Sequence, residues 1–276
     1  MTQVKDLAFS YGQHEVLRNI NLTLEQGRIY GLLGENGVGK TTLLTLLCGL
    51  KKTQEGEIDC DGFAPYHRGV EFLAGQYYLP DEVAPVRAKA IDWARSNGKF
   101  YPGFSEESFL ELMTIFETEP EKKMNAMSNG QLKKTYISFA LACRTRYLFM
   151  DEPTNGLDIP SKAQFRSAIL KYPLEDSTIV ISTHQVRDLE NVIDPIIILD
   201  NRDVLLNASL ETISRKLFFD YGATPQQGAL YCENLPGGLI QVYANADGRD
   251  SKVNIEALFN AVHSNKQTIK ALFENE

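Results

Sequence analysis

The chain has no closely spaced cysteine pair, no long apolar run and no surplus of basic residues, and each absence removes a class of function. Its cysteines, Cys48, Cys60, Cys143 and Cys232, form no CxxC pair. Neither a zinc site nor a disulfide framework is expected, and the plain reading is reduced thiols. The longest apolar stretches, such as IIILD at 196–200, are far too short to span a bilayer. The opening, MTQVKDLAFSYG, has no basic leader followed by an apolar run, so no signal peptide is expected. A formal net charge of −8 argues against broad contact with nucleic-acid phosphates. It leaves room for a single nucleotide, because a few backbone amides and one lysine can cradle phosphates within an acidic protein. What remains is ordinary and globular. At 276 residues, 43% hydrophobic and 23% charged, the chain suits one large domain or one domain with a small appendage.

Residues 2–33 read as strands. VKDLAFSYG and EVLRNINLTLEQG alternate apolar and polar positions as a half-buried antiparallel sheet would, and RIYGLLG reads as a buried strand ending in glycine. TTLLTLLCGL at 41–50 is an apolar-periodic helix stopped by Gly49 and the polar run KKTQEGE. VEFLAGQ at 70–76 is a candidate strand and YLPDEVAP a loop. Helical patterns follow at 86–97, 105–117 and 129–144. YLFMD at 147–151 and TIVIST at 178–183 are short apolar runs of the buried parallel kind. Helices are expected after them at 160–172 and 185–193, then a terminal hairpin at 196–207. This alternation implies a parallel sheet with helices on its faces. The segment 219–276 changes character. It has turn clusters, two short strands (ALYCE, LIQVYA) and two helices (IEALFNAVH, KQTIKALF).

Three local motifs carry chemistry. GENGVGKTT runs through Gly34, Glu35, Asn36, Gly37, Val38, Gly39, Lys40, Thr41 and Thr42, between a predicted strand and a predicted helix. Its glycines let successive amides point at phosphate oxygens, and the helix adds its positive N-terminal end. Lys40 supplies charge to the β- and γ-phosphates, and Thr41 offers a hydroxyl to Mg²⁺. YLFMDEP delivers Asp151 to the carboxyl end of a buried strand, where ligands bind in parallel sheets. Asp151 fits a Mg²⁺-associated carboxylate, and Glu152 a group that polarises the attacking water. MSNGQLKK at 127–134, taken alone, is a helix N-cap at Ser128 or Asn129.

The order GENGVGKTT, Gln76, SNGQ, YLFMDEP, NGLD, STH resembles the ATP-binding cassette family over about residues 2–218. The resemblance implies an α/β fold: a P-loop NTPase core with an antiparallel β lobe, a helical subdomain near 80–145 and a small α+β tail at 219–276. It implies that Ser128 and Gly130 of one subunit close on the ATP of another. Met127 and Asn129 stand where the family has leucine and glycine, and Asn tolerates left-handed backbone angles better than most residues. It further implies adenine stacking on Tyr11, Gln76 at Mg²⁺, Asp158 at the subunit seam and His184 at the γ-phosphate.

One phosphate loop and one signature per chain imply a head-to-tail dimer around two ATP molecules, most simply a homodimer. Separate integral membrane permease subunits would make the pore, with this chain peripheral on the cytoplasmic face. The short insert and the tail resemble ATPases of the ABC-2 exporter group. A chromosome- or ribosome-associated or regulatory cassette ATPase is the competing reading. Too few residues separate Lys40 from Met127 for a long coiled coil, and there is a single cassette.

Overall fold

A computed structural model describes residues 1–225 and 227–273. Strands β1 (Thr2–Tyr11), β2 (His14–Leu24) and β4 (Glu55–Cys60) form an antiparallel sheet in the order β2-β1-β4. Between them in sequence, β3 (Ile29–Leu33) enters the central sheet and leads into helix α1 (Lys40–Leu47). Helix α2 (Val70–Ala74) and strand β5 (Gln76–Leu79) follow, then the insert helices α3 (Ala90–Gly98), α4 (Glu106–Ile115) and α5 (Asn129–Ala142). The chain returns through β6 (Tyr147–Asp151), α6 (Ile159–Lys171), β7 (Thr178–Thr183), β8 (Ile196–Asp200) and β9 (Asp203–Ala208).

The central sheet runs β5-β6-β7-β3-β8-β9. All its neighbours are parallel except the β8–β9 hairpin. Every residue of β6 and β7 is buried, as expected of parallel strands covered on both faces. Their shared direction puts Asp151 and Thr183 at one edge, beside the end of β3 from which the 34–39 loop departs. The insert is fastened to β5 by aromatic contacts: Tyr77 meets Phe139 at 5.6 Å and Tyr101 at 5.7 Å between ring centroids, and Trp93 meets Phe139 at 4.6 Å.

The last portion contains α7 (Leu210–Lys216), β10 (Leu217–Gly222), β11 (Tyr231–Leu235), β12 (Gly238–Ala244), α8 (Ile255–Ser264) and α9 (Lys266–Phe273). Its sheet runs β10-β12-β11. Strand β10 spans the 218/219 boundary read from the sequence. The buried residues Phe219, Ile240, Leu258 and Val262 share one continuous core with the cassette's Ile181, Ile196 and Ile198.

Three expectations are corrected. VEFLAGQ is not a strand: residues 70–74 are helical, with Val70 85% exposed and Phe72 buried, and the strand begins only at Gln76. Residues 185–193 do not form a helix; a single 3₁₀ turn, Val186–Asp188, is followed by irregular chain. Strands β4 and β10 were not anticipated. In β4 only Ile58 and Cys60 are buried, so its apolar pattern is faint.

Candidate functional site

The loop after β3 folds tightly on the neighbouring strand. A Cβ at Gly34 would stand 2.6 Å from the carbonyl oxygen of Leu199 and 2.7 Å from Val38 Cγ1, so this approach requires glycine. Gly39, with φ at 115°, precedes the first turn of α1. Lys40 is buried at 6% exposure, and its Nζ donates to the carbonyls of Gly34 (2.8 Å) and Glu35 (3.1 Å). Burial lowers the Lys40 pKa, against the opposing pull of Glu152 and Asp151.

At the end of β6, Asp151 gathers hydroxyls. Thr41 Oγ1 donates to its Oδ2 at 2.5 Å, Ser182 Oγ donates to its Oδ1, and the Tyr78 hydroxyl lies 3.5 Å from Oδ2. Burial first, and then the Asp151 charge, raise the Tyr78 pKa. Glu152 follows with φ at 45°, a left-handed conformation costing about 1–3 kcal/mol in a non-glycine residue. Its backbone N–H is held by the Ser182 hydroxyl at 3.1 Å and carbonyl at 3.2 Å. Glu152 Oε1 lies 2.9 Å from His184 Nδ1 and 3.6 Å from Lys40 Nζ. That oxygen is sealed from solvent, while Glu152 Oε2 accepts from the His184 backbone N–H at 3.4 Å.

A cleft of about 340 Å³ is lined by Tyr11, His14 and Val16 and by Asn36, Gly37, Gly39, Lys40, Thr41 and Thr42. Asp81, Asp151 and Glu152 complete it. Tyr11 is 47% exposed; its hydroxyl lies 3.3 Å from Thr42 Oγ1, and Lys51 Nζ sits 4.8 Å from its ring centroid. An exposed ring flanked by a cation is available for stacking, unlike a core tyrosine.

Gln76, expected at the metal, lies elsewhere. It opens β5 and pairs with Tyr147, the first residue of β6, whereas Asp151 is the last. Four residues of parallel strand separate those levels, about 13 Å. The reason is directional: only the chain beyond the end of β5 can reach the carboxyl edge, and the residue that does so is Asp81. Sequence reading missed it. Asp81 accepts from Lys133 Nζ at 3.2 Å (Oδ1) and through its carbonyl, and from Asn155 Nδ2 at 3.2 Å. Lys133 lies on α5 and is 4% exposed; burial lowers its pKa, while Asp81 opposes that shift. Asp81 thus links the cleft to the insert and to the NGLD turn. Ser182 and Tyr78 were also missed; a register argument on β6 and β7, pairing Asp151 with Ser182, would have found the first.

Ser128 is exposed and caps α5 in a reciprocal box: its Oγ accepts from Gln131 N at 3.2 Å, and Gln131 Oε1 accepts from Ser128 N at 3.2 Å. Asn129 begins the helix and needs no left-handed angle. Gly130 lies beside Gly156, whose carbonyl would stand 3.8 Å from an added Cβ. Asp158 caps α6, accepting from Ser161 N at 2.8 Å; hydrogen bonds from Ser161 lower its carboxyl pKa. Ile159 beside it is 83% exposed. Both turns therefore present polar and apolar groups outward.

The Thr41 hydroxyl and Asp151 carboxylate are hard oxygen donors of the kind Mg²⁺ takes. Among the described residues no group of three or more His, Cys, Asp or Glu could hold a metal alone. No helix among the described residues is long and apolar enough to cross a membrane.

A family profile described as ABC transporter matches residues 17–155, half of the chain. The ABC transporter ATP-binding protein NatA of Bacillus subtilis is 28% identical over 211 residues, covering 72% of this chain and 84% of NatA. The lantibiotic transport ATP-binding protein SrtF of Streptococcus pyogenes is 29% identical over 199 residues, covering 70% of this chain and 84% of SrtF. Among solved structures, a dimeric cassette in a post-hydrolysis state with ADP and phosphate superposes with a TM-score of 0.66 at 23% identity, covering 76% of this chain and 99% of that one. With half of the sequence matched by the family profile, and with the phosphate loop, Asp151 and Glu152 gathered at one sheet edge, the chain belongs to the ABC transporter family, as an ATP-binding cassette ATPase.

Proposed function

We propose that this subunit hydrolyses ATP at a seam between two copies of itself and passes the resulting closure and release to separate membrane-embedded permease subunits. The observation that carries the reading is the buried Lys40–Glu152 pair, which lines the cleft with the phosphate loop and is met at Glu152 by the exposed His184. Loop amides and Lys40 would hold the β- and γ-phosphates, and the exposed Tyr11 ring would take the adenine. Thr41 and Asp151 would hold Mg²⁺, which neutralises phosphate charge when bound. Glu152 would orient and polarise the attacking water, with His184 fixing the carboxylate through its ring Nδ1 and its backbone N–H. The chemistry is mainly positioning and charge stabilisation, because phosphoryl transfer asks for little covalent participation by the protein.

Ser128 and Gly130 would close on the γ-phosphate held by the partner copy, with Asp158 and Ile159 at the same seam. The exposure of Ser128, Asp158 and Ile159 in a single chain supports this, as does the dimeric state of a structural relative. The helical insert would face the permease, since Asp81 joins it to the cleft through Lys133. Export is the preferred direction: the short insert and the tail resemble the ABC-2 exporter group, and one relative is named for lantibiotic transport. The subunit would then sit at the cytoplasmic face of the membrane.

The test is a pull-down of the tagged chain from detergent-solubilised membranes, with mass-spectrometric identification of what it retains. A multi-span membrane protein that raises the subunit's ATP turnover is the expected result. Retention of ribosomal or chromosomal components without a membrane protein would overturn the transport reading.

A further inference from the structure

Helix α8 contacts the segment that follows His184 at one end, and Asp200 and Glu35 at the other. We infer that it is a strut fixing the segment after His184 relative to the phosphate loop, with Glu256 and His263 as its positioning residues. The inference rests on the roles proposed above for His184 and Lys40.

The first pole is at residues 185–193. This segment has one 3₁₀ turn and no helix of its own, yet Leu189 and Ile193 are almost completely buried. It is held from one side by α6, where Lys162 Nζ lies 2.6 Å from Asp188 Oδ2 and Arg166 donates to the Asp188 carbonyl at 3.0 Å. From the other side comes α8, packed against Val186–Asp188. Glu256, in the first turn of α8, accepts from Arg187 Nε at 2.7 Å, with Nη2 at 2.6 Å from the same oxygen. Arg187 is three residues beyond His184.

The second pole lies at the opposite end of the helix. His263 Nδ1 stands 3.2 Å from Asp200 Oδ2, and Lys266 Nζ 2.5 Å from the same oxygen. Asp200 follows Leu199, the residue whose carbonyl Gly34 abuts. His263 Nε2 also lies 3.9 Å from Glu35 Oε1, inside the phosphate loop. Seven residues of helix, about 10 Å, separate the poles.

Exposed charge pairs of this kind contribute little each. Attachment therefore comes from the buried face of Ile255, Ala257, Leu258, Ala261 and Val262, and the charged groups at the two ends set where the helix rests. A rigid element anchored at both poles fixes their separation, so force applied to the tail would alter hydrolysis. This makes the tail a control point and not only a packing appendage.

The test uses the full-length chain. Glu256→Arg is expected to lower kcat about fivefold at an unchanged KM for ATP, with faster amide exchange over residues 184–194. The swap Arg187→Glu/Glu256→Arg is expected to restore both. His263→Ala is expected to raise the KM for ATP at unchanged kcat. General destabilisation would instead move kcat, KM and melting temperature together in both variants, and would count against the strut. Wild-type kcat and exchange in Glu256→Arg, where His184→Ala abolishes turnover, would overturn it. Normal turnover in His184→Ala would instead sink the hydrolytic reading, and the exchange measurement would then decide the strut alone. If Glu256→Arg melts far below wild type, Glu256→Gln takes its place under the same criteria.

Discussion

The Nδ1 of His184 lies 2.9 Å from Oε1 of Glu152, joining the chain just beyond the ends of two adjacent parallel strands. The contact places a carboxylate that has left the sheet in a left-handed conformation beside a ring that can hold it there. Glu152→Gln preserves the shape and removes the basic oxygen. Its ATP turnover is expected to fall at least 100-fold, roughly the usual contribution of a positioned general base, while ATP affinity stays within a few fold. Phosphate release and equilibrium binding of a fluorescent ATP analogue check the two halves separately. Equal loss of binding and turnover would mean that Glu152 holds nucleotide instead of activating water.

Asp81 gives a second prediction. Its carboxylate faces the cleft while accepting from Lys133 and Asn155. Asp81→Ala leaves the buried Lys133 ammonium without its charge partner, a loss of about 1.5–3 kcal/mol for a hydrogen bond to a charged group. Denaturant unfolding is expected to show that loss, and Asp81→Ala/Lys133→Met to recover most of it. ATP turnover, in contrast, should stay low in both variants, because the link between cleft and insert is absent from each.

The difference between Asp81 and Gln76 also shows how far the residues alone could be read. GENGVGKTT and YLFMDEP were legible because the chemistry constrains consecutive residues, and the buried strand fixes which end of the motif meets the ligand. Gln76 was misplaced because VEFLAGQYYLP contains two short apolar pieces. Periodicity cannot say which of them is the strand, and the answer lies in pairing with Tyr147, some seventy residues away. Likewise residues 185–193 carry helix-like spacing, but α6 and α8 pack them as irregular chain, so tertiary contacts override the local pattern. Strand β10 follows α7 with no intervening turn, which left no punctuation to read.

The cysteines give a prediction about pH. Burial pushes the Cys48 thiol up to about 11 and the Cys60 thiol up to about 12, from an ordinary 9.0, and raises Cys143 as well. Cys232 is exposed. At pH 8 a thiol reagent is expected to label Cys232 in the folded chain and the other three only after unfolding, as read by peptide mass spectrometry. The sign for stability comes from linkage. A thiol pKa raised in the folded state means that only the unfolded chain loses its proton just above pH 9. Stability is therefore complete below about pH 9 and falls as pH rises through 11 and 12. Urea midpoints between pH 8 and 11 are expected to decline, and replacing Cys60 with alanine should flatten that slope even though the variant is less stable throughout.

Gly130 separates what the signature turn does for its own subunit from what it does for a partner. It lies within the first turn of α5, and an added Cβ would meet only the Gly156 carbonyl, at an ordinary 3.8 Å. Within one chain, Gly130→Ala therefore exchanges the poorest helix former after proline for the best, a gain of up to about 1 kcal/mol. Across a seam the same methyl would stand where backbone must approach the partner's phosphate. The variant is expected to melt at or above the wild-type temperature and to bind ATP normally through its own phosphate loop, yet to lose most ATP turnover. Combined with Glu152→Gln, it should also fail to dimerise with ATP in gel filtration, whereas Glu152→Gln alone should form a dimer. A stabilised Gly130→Ala subunit with full turnover would show that residue 130 meets no phosphate across the seam.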